Sequence, residues 1–254
     1  MSAETFIGSI DLNADLGEGI GDDAAMLGLV SSASIACGFH AGGPDEMAAA
    51  FGGARANGVA IGAHPGYADR ANFGRIVVPQ SLAEIERLVA YQVGAACGLA
   101  ALAGHRITYV KAHGALYNLA AVDTDVAGAV AGGIVAVDRG LIALCLAGSA
   151  GAQAMAAHGL TIAAEVFADR AYRADGTLVP RSEPGAVILD AGEVTARTLK
   201  MLGDRAITAT DGTRRLTQMD SICLHGDTPG AIVLARALRS GLIAAGWRIT
   251  PFAP

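Results

Sequence analysis

Ile107-Thr108-Tyr109-Val110-Lys111-Ala112-His113-Gly114 holds the pattern that organises the whole chain. It opens as an apolar β-like run over 107–111, ends on a lysine and a histidine two residues apart, and stops at a glycine. Side chains two apart on a strand point the same way, so Lys111 and His113 enter one pocket. Burying an unpaired ammonium is expensive, so Lys111 faces a polar barrel interior or mouth. Its alternative is a buried ion pair, with Glu165 as candidate partner. Lys and Arg together number 18 and only Lys111 and Lys200 are lysines, which makes the placement of each informative.

The same pattern recurs outward from this stretch. Further β-like runs lie at 9–13, 34–38, 59–63, 141–146, 161–166 and 221–225. Helix-like segments lie at 44–57, 81–103, 123–137, 149–158, 191–202 and 229–245. Ser81 and Glu84 form a capping-box pattern, Pro229 suits a first helical turn, and Gly246 suits a stop. Strand–helix alternation predicts a parallel sheet with helices outside. Seven runs fit either a barrel or an open doubly wound sheet. Residues 206–218 interrupt the alternation, and Asp211-Gly212 there marks a hairpin turn. With no linker, repeat or charge block, residues 1–254 read as a single domain.

Polar residues gather at strand ends. Asp11, Asn13 and Asp15 share one parity on the first run, whose regular part is expected to end near Asn13. His40 follows the second run and His64 the third. Glu165 and Asp169 close the sixth, and His225 and Asp227 the last. Ligands bind at the carboxyl ends of strands in parallel α/β folds. A lone histidine after a strand is ordinarily a hydrogen-bonded structural residue. Four of the six histidines at such ends point to a shared site. His105 and His158 fall in loops or helix ends. Asp11 and Asn13 have the alternative of capping a turn, while Arg70, Arg75, Arg170 and Arg181 are substrate anchors or surface charges.

Composition excludes other classes. A formal charge of −6 supplies no basic field for nucleic acid. The stretch 140–164 has no Asp, Glu, Lys or Arg, but its glycines, Gln153 and His158 read as strand, loop, helix and strand rather than a membrane span. The N-terminus lacks a signal-peptide pattern. Cys37, Cys97, Cys145 and Cys223 form no CxxC pair and read as small thiols in a reducing cytoplasm. No phosphate loop, dinucleotide fingerprint or nucleophile elbow is present. Two chemistries stay open. Either His and Asp groups bind a divalent metal that activates water, or a histidine or carboxylate acts as base without metal while Lys111 stabilises an oxyanion. The histidines are too far apart in sequence to offer a metal-spacing motif.

Several motifs, in order, resemble the LamB/YcsF family of 5-oxoprolinase A subunits: IDLNADLGE (10–18), SIACGFHAGGP (34–44), GVAIGAHPG (58–66), VKAHGALYN (110–118), EVFADRAYRADGTLVPRS (165–182) and SICLHGDTPG (221–230). The resemblance implies a distorted seven-stranded parallel (β/α) barrel of the glycoside hydrolase/deacetylase type. It implies ATP-dependent opening of 5-oxo-L-proline to L-glutamate, with subunits B and C as partners and ATP handled through them. It draws Asp15, His40, His64, Lys111 and His113 together as catalytic candidates. Asp11, Asn13, Asn118, Glu165, Asp169, Arg170, Arg181, His225 and Asp227 become substrate-binding candidates. A metal, a homo-oligomer, a hydrolase acting alone and a purely binding subunit stay open. This chain departs from the family pattern at Ala14, where cysteine is common, at Ala112, where proline is frequent, and at Gly43, where aspartate is frequent. The last weakens any metal site that would draw a carboxylate from position 43 beside His40.

Overall fold

A computed structural model describes residues 6–226 and 230–253. In chain order the first half runs β1 (Gly8–Leu16), α1 (Asp23–Leu27), β2 (Ser32–Ala36), α2 (Pro44–Asn57), β3 (Ala60–His64), α3 (Leu82–Leu102), β4 (Ile107–Val110), α4 (Gly114–Val122) and α5 (Thr124–Val137). The second half runs β5 (Ile142–Leu146), α6 (Ala150–Ala157), β6 (Thr161–Phe167), α7 (Ala191–Asp204), β7 (Ala206–Thr208), β8 (Arg214–Leu216), β9 (Ser221–His225), α8 (Ala231–Ala244) and β10 (Trp247–Ile249).

Strands β1, β2, β3, β4, β5, β6 and β9 pair in that order, all parallel, and β9 returns to β1. This closes a seven-stranded (β/α) barrel and decides between the barrel and the open sheet. Two features distort it. The lower part of β1 (Gly8 to Ile10) pairs with β10, while its upper part pairs with β9 from Asp11↔Ser221 to Asp15↔His225. The β3–β4 register also shifts between Ile61 and Gly62. There the Tyr109 ring occupies the space a side chain at position 62 would need, and its hydroxyl meets Ser34 Oγ at 3.2 Å.

β1 runs on to Leu16 rather than ending near Asn13, so Asp11, Asn13 and Asp15 all lie on one regular strand. Its alternate residues Leu12, Ala14 and Leu16 face the helix layer and are fully buried. The capping box forms as expected: Ser81 Oγ accepts from Glu84 N, and Ser81 N donates to Glu84 Oε2 at 2.7 Å. The stretch 140–164 folds as β5, α6 and β6. Among the described residues, α3 is the one helix that by itself is long and apolar enough to cross a membrane. Here its Val89, Val93, Ala96 and Ala100 are fully buried in the core. The Asp211-Gly212 turn joins β7 and β8 as an antiparallel hairpin outside the barrel. Pro229 lies outside the described residues.

Candidate active site

A column of polar groups runs up the barrel interior beside an apolar cluster of Tyr109, Leu144 and Ala163. Near the β1 start, Asp11 accepts from Ser31 Oγ at 2.6 Å, Ser32 Oγ at 2.7 Å and Ser221 Oγ. Burial nevertheless pushes its carboxyl up, from 3.8 to about 6, because three hydroxyl donors do not fully replace water. One layer up, Asn13 Nδ2 donates to Ser221 Oγ at 2.7 Å and Glu165 Oε1 at 3.0 Å. Tyr117 OH donates to the other Glu165 oxygen at 2.7 Å. Above this sits Lys111, 2% exposed, with Nζ 2.8 Å from Glu165 and 2.9 Å from Asp15. The buried ion pair foreseen for Lys111 therefore exists, with a second carboxylate added to it. Burial works against the ammonium, but Asp15, Cys223 and Glu165 hold its pKa well above the ordinary lysine range. Burial also opposes the Asp15 carboxylate, and His64 with Lys111 overcomes it, so Asp15 stays ionised.

The top layer is a cluster of three imidazoles. His64 Nδ1 lies 2.8 Å from the Lys111 carbonyl, and His113 Nε2 lies 2.8 Å from the Phe73 carbonyl. A carbonyl only accepts, so each of these nitrogens carries the hydrogen. The other two nitrogens, His64 Nε2 and His113 Nδ1, face each other at 2.9 Å. His40 stacks flat on His113, with centroids 3.7 Å apart and planes 4° apart. Its Nε2 lies 3.3 Å from Glu18 Oε1. Burial, reinforced by His64, drives the His40 imidazole down to about 2, and the same two causes lower His113. Gly66 and Gly74 leave room for the stack, since a Cβ at either would press on His40 and His113. Phe73 holds a left-handed φ of 55° while its carbonyl receives His113 and its ring meets both imidazoles edge-on. A non-glycine residue there stores strain, which the surrounding packing must hold.

A cavity of about 610 Å³ opens onto these groups. Asp15, His64, Lys111, His113, Asn118, Arg170, Arg181 and His225 line it, together with Arg75, Tyr117 and Phe167. His225 Nδ1 lies 2.9 Å from Asp169 Oδ2, and the imidazole stacks on Phe167. Burial opposes ionisation of Asp169, but His225 beside it keeps its pKa low. Arg170 is 4% exposed and donates to the Val179 carbonyl at 2.5 Å and the Ala186 carbonyl at 3.2 Å, bracing the loop that walls the cavity.

The structure therefore brings together Asp15, His64, Lys111, His113, Asn118, Arg170, Arg181 and His225 on one wall-and-floor surface. His40 lies behind His113 rather than on that surface. Asn13, Glu165 and Asp169 stand one contact back, holding Lys111 and His225. Asp11 sits two layers below, among serines, within β1 and not at a turn. Asp227 lies outside the described residues. His105 and His158 bond to backbone carbonyls elsewhere, and Arg70 holds the Gly38 and Gly42 carbonyls. Gly43 caps α2, and the carboxylate beside His40 comes from Glu18 instead. Glu18 escapes a parity argument because Gly17, at φ 70°, ends β1 and redirects the chain. Tyr117 escapes it because α4 carries the side chain, not a strand.

The site can hold an ionised carboxylate, several oriented imidazoles and a guanidinium around one small polar molecule, which suits proton transfer during attack on a carbonyl-type carbon. Relatives from Rhodopseudomonas palustris (strain BisB18) and Azorhizobium caulinodans, each named as the A subunit of 5-oxoprolinase, are both 53% identical to this chain. They cover 96% and 97% of it and 98% and 99% of their own lengths. The lactam utilization protein of Thermus thermophilus has a solved structure that superposes with a TM-score of 0.89 at 39% identity. The match covers 95% of this chain and 99% of that one. The model of the LamB/YcsF family matches residues 10–254, and this chain belongs to that family.

Proposed function

We propose that this chain is the A subunit of a 5-oxoprolinase, acting in the cytoplasm with B and C subunits to convert 5-oxo-L-proline and water to L-glutamate at the expense of ATP. The observation that carries this reading is 53% identity, over nearly the full length of both chains, to relatives that bear the name of the 5-oxoprolinase A subunit. The cavity supports it by its scale and its groups, and four free cysteines fit a reducing compartment.

A five-membered lactam is a stable amide and needs activation. The B and C subunits phosphorylate the lactam oxygen with ATP, in keeping with the lack of a phosphate loop in this sequence. Arg181 takes the substrate carboxylate, with Arg170 bracing its loop. Water then bonds to the activated ring carbon while Asp15, held ionised by Lys111 and His64, accepts its proton. Lys111 also steadies negative charge developing on oxygen. The tetrahedral carbon breaks its C–N bond, and the ring nitrogen leaves with a proton from His225, which Asp169 orients. A second water cleaves the remaining acyl phosphate to glutamate and phosphate.

The test is turnover by the reconstituted complex. Purified B and C with this chain should release glutamate from 5-oxoproline only when ATP is present, and omission of this chain should abolish release. Equal release without it would overturn the reading.

A further inference from the structure

We propose that Glu18, His64 and His113 form a binding site for one divalent transition-metal ion of the zinc class, with His40 as the residue that positions Glu18. The inference stands on the side-chain geometry and holds whichever reaction the cleft performs.

The argument begins with hydrogen bookkeeping. His64 spends its Nδ1 hydrogen on the Lys111 carbonyl and His113 spends its Nε2 hydrogen on the Phe73 carbonyl. In neutral rings the remaining nitrogens carry lone pairs. Those lone pairs meet at 2.9 Å, so either a proton on His64 or another cation must stand between them. Two carboxylates add to the mismatch, with Glu18 Oε1 at 3.4 Å from His113 Nδ1 and Asp15 Oδ2 at 3.4 Å from His64 Nε2. The Glu18, His64 and His113 acceptors lie within 4.8 Å of one another and suit a cation between them, with Asp15 beside the set. A single proton would satisfy one pair of atoms, whereas a metal ion satisfies the set.

The dimensions agree. Tetrahedral zinc with bonds of about 2.0–2.1 Å sets its ligand atoms about 3.3 Å apart. The His113–Glu18 separation of 3.4 Å matches this, and the His64–His113 separation of 2.9 Å needs to open by about 0.4 Å to admit the ion. The two ligating rings stand at 89° to each other, so their in-plane lone pairs can converge. His40 is different. Its ring lies parallel to His113, so both lone pairs cannot aim at one ion. His40 Nε2 instead faces Glu18 Oε1 at 3.3 Å, and donating there it orients the carboxylate. Backbone carbonyls fixing the tautomer of each ligating imidazole are the usual outer partners of metal-bound histidine. Two histidines and one glutamate leave a coordination position open, as zinc sites that act on water do. His64 and His113 both line the cavity, so that position can face it.

The test uses the untagged, full-length chain, stripped with chelator and titrated with Zn²⁺ and Co²⁺, with bound metal measured by elemental analysis. One equivalent per chain is expected, and Co²⁺ should give visible absorption of a low-symmetry site. Glu18→Gln, His64→Ala and His113→Ala should each weaken binding by more than about 100-fold, and His40→Phe by about 10-fold. His225→Ala, which touches the neighbouring Asp15–Cys223–His225 group, should keep full stoichiometry. Where a variant does not fold, imidazole nitrogen NMR on the wild-type chain replaces it. Zn²⁺ should move His64 Nε2 and His113 Nδ1 and leave His105 and His158 unmoved. No stoichiometric uptake, or loss of metal in His225→Ala with retention in His64→Ala, overturns the proposal. Because metal is read on this chain alone, its failure is separate from a failure of 5-oxoproline turnover by the complex.

Discussion

Lys111 is the residue on which the interior charges depend. Its ammonium stands between Asp15 and Glu165, both buried, and nothing else among the described residues places a lysine in the barrel. Removing one partner of a buried pair leaves the other charges uncompensated, which costs about 3–5 kcal/mol. Lys111→Met should therefore lower the unfolding free energy by about that amount in urea titrations. A Lys111→Met/Glu165→Gln double variant should recover part of the loss. A double variant as unstable as the sum of the singles would show that the pair is not coupled. The sequence exposes this residue because a lysine in an apolar strand has few places to go. It does not expose the second partner, since Asp15 reaches Lys111 across the barrel, 96 residues away in the chain. A second test belongs to the cavity surface. Asp15→Asn in the assembled complex should cut kcat by about 100-fold or more, as loss of a general base does, with KM little changed. A fall confined to KM would place Asp15 in binding instead.

Helices show which local signals survive without tertiary knowledge. α3 is readable because Ser81 and Glu84 mark its start in side-chain chemistry. α4 is not. It begins at Gly114, φ 55°, directly behind His113, with no capping side chain. Asp123 then ends α4 and caps α5, so the one clear start signal in this stretch belongs to the later helix. The chain bends by 120° at that point, which brings α4 alongside α6. Their contact is close enough that Gly151 has no room for a Cβ, which would overlap the Ala120 carbonyl. The obstacle is backbone, so a flexible side chain cannot yield. Gly151→Ala should destabilise by about 1–3 kcal/mol despite the better helix propensity of alanine. Thermal unfolding checks this, with Gly203→Ala on α7, where a Cβ meets nothing within 4 Å, as the comparison expected to be neutral or stabilising.

Across the whole barrel the polar column divides into two ends with different consequences. Parity on β1 reveals that Asp11, Asn13 and Asp15 share a face, but closure of the barrel decides what that face meets. β9 returns to β1 after a hairpin excursion, so Ser221 and the Asp11 serine cluster could not be paired from sequence order. At the top, Asp15, His64 and His225 face the large cavity, whereas at the bottom the Asp11 carboxylate is held by the hydroxyls of Ser31, Ser32 and Ser221. The two ends should separate in experiment. Asp11 has a folded-state pKa near 6 against 3.8 in the unfolded chain, with burial as the main cause. Below about pH 4 both states hold the proton and the group contributes no difference. As pH rises through about 6 the folded state must ionise a buried carboxyl, and stability falls on the order of 3 kcal/mol relative to acid. Other carboxylates with lowered pKa values, Asp15 and Asp169, act in the opposite sense as pH falls, so only a difference profile isolates Asp11. Asp11→Asn carries no proton to lose. The stability of the wild type minus that of Asp11→Asn, from denaturant titrations between pH 4 and pH 7, should decline as pH rises and level off above about 6. Parallel profiles would refute the assignment. Because Asp11 lies two layers beneath the cavity floor, the same variant should leave the pH profile of kcat in the complex where it was. Asp15→Asn, at the other end of the same strand, should change it.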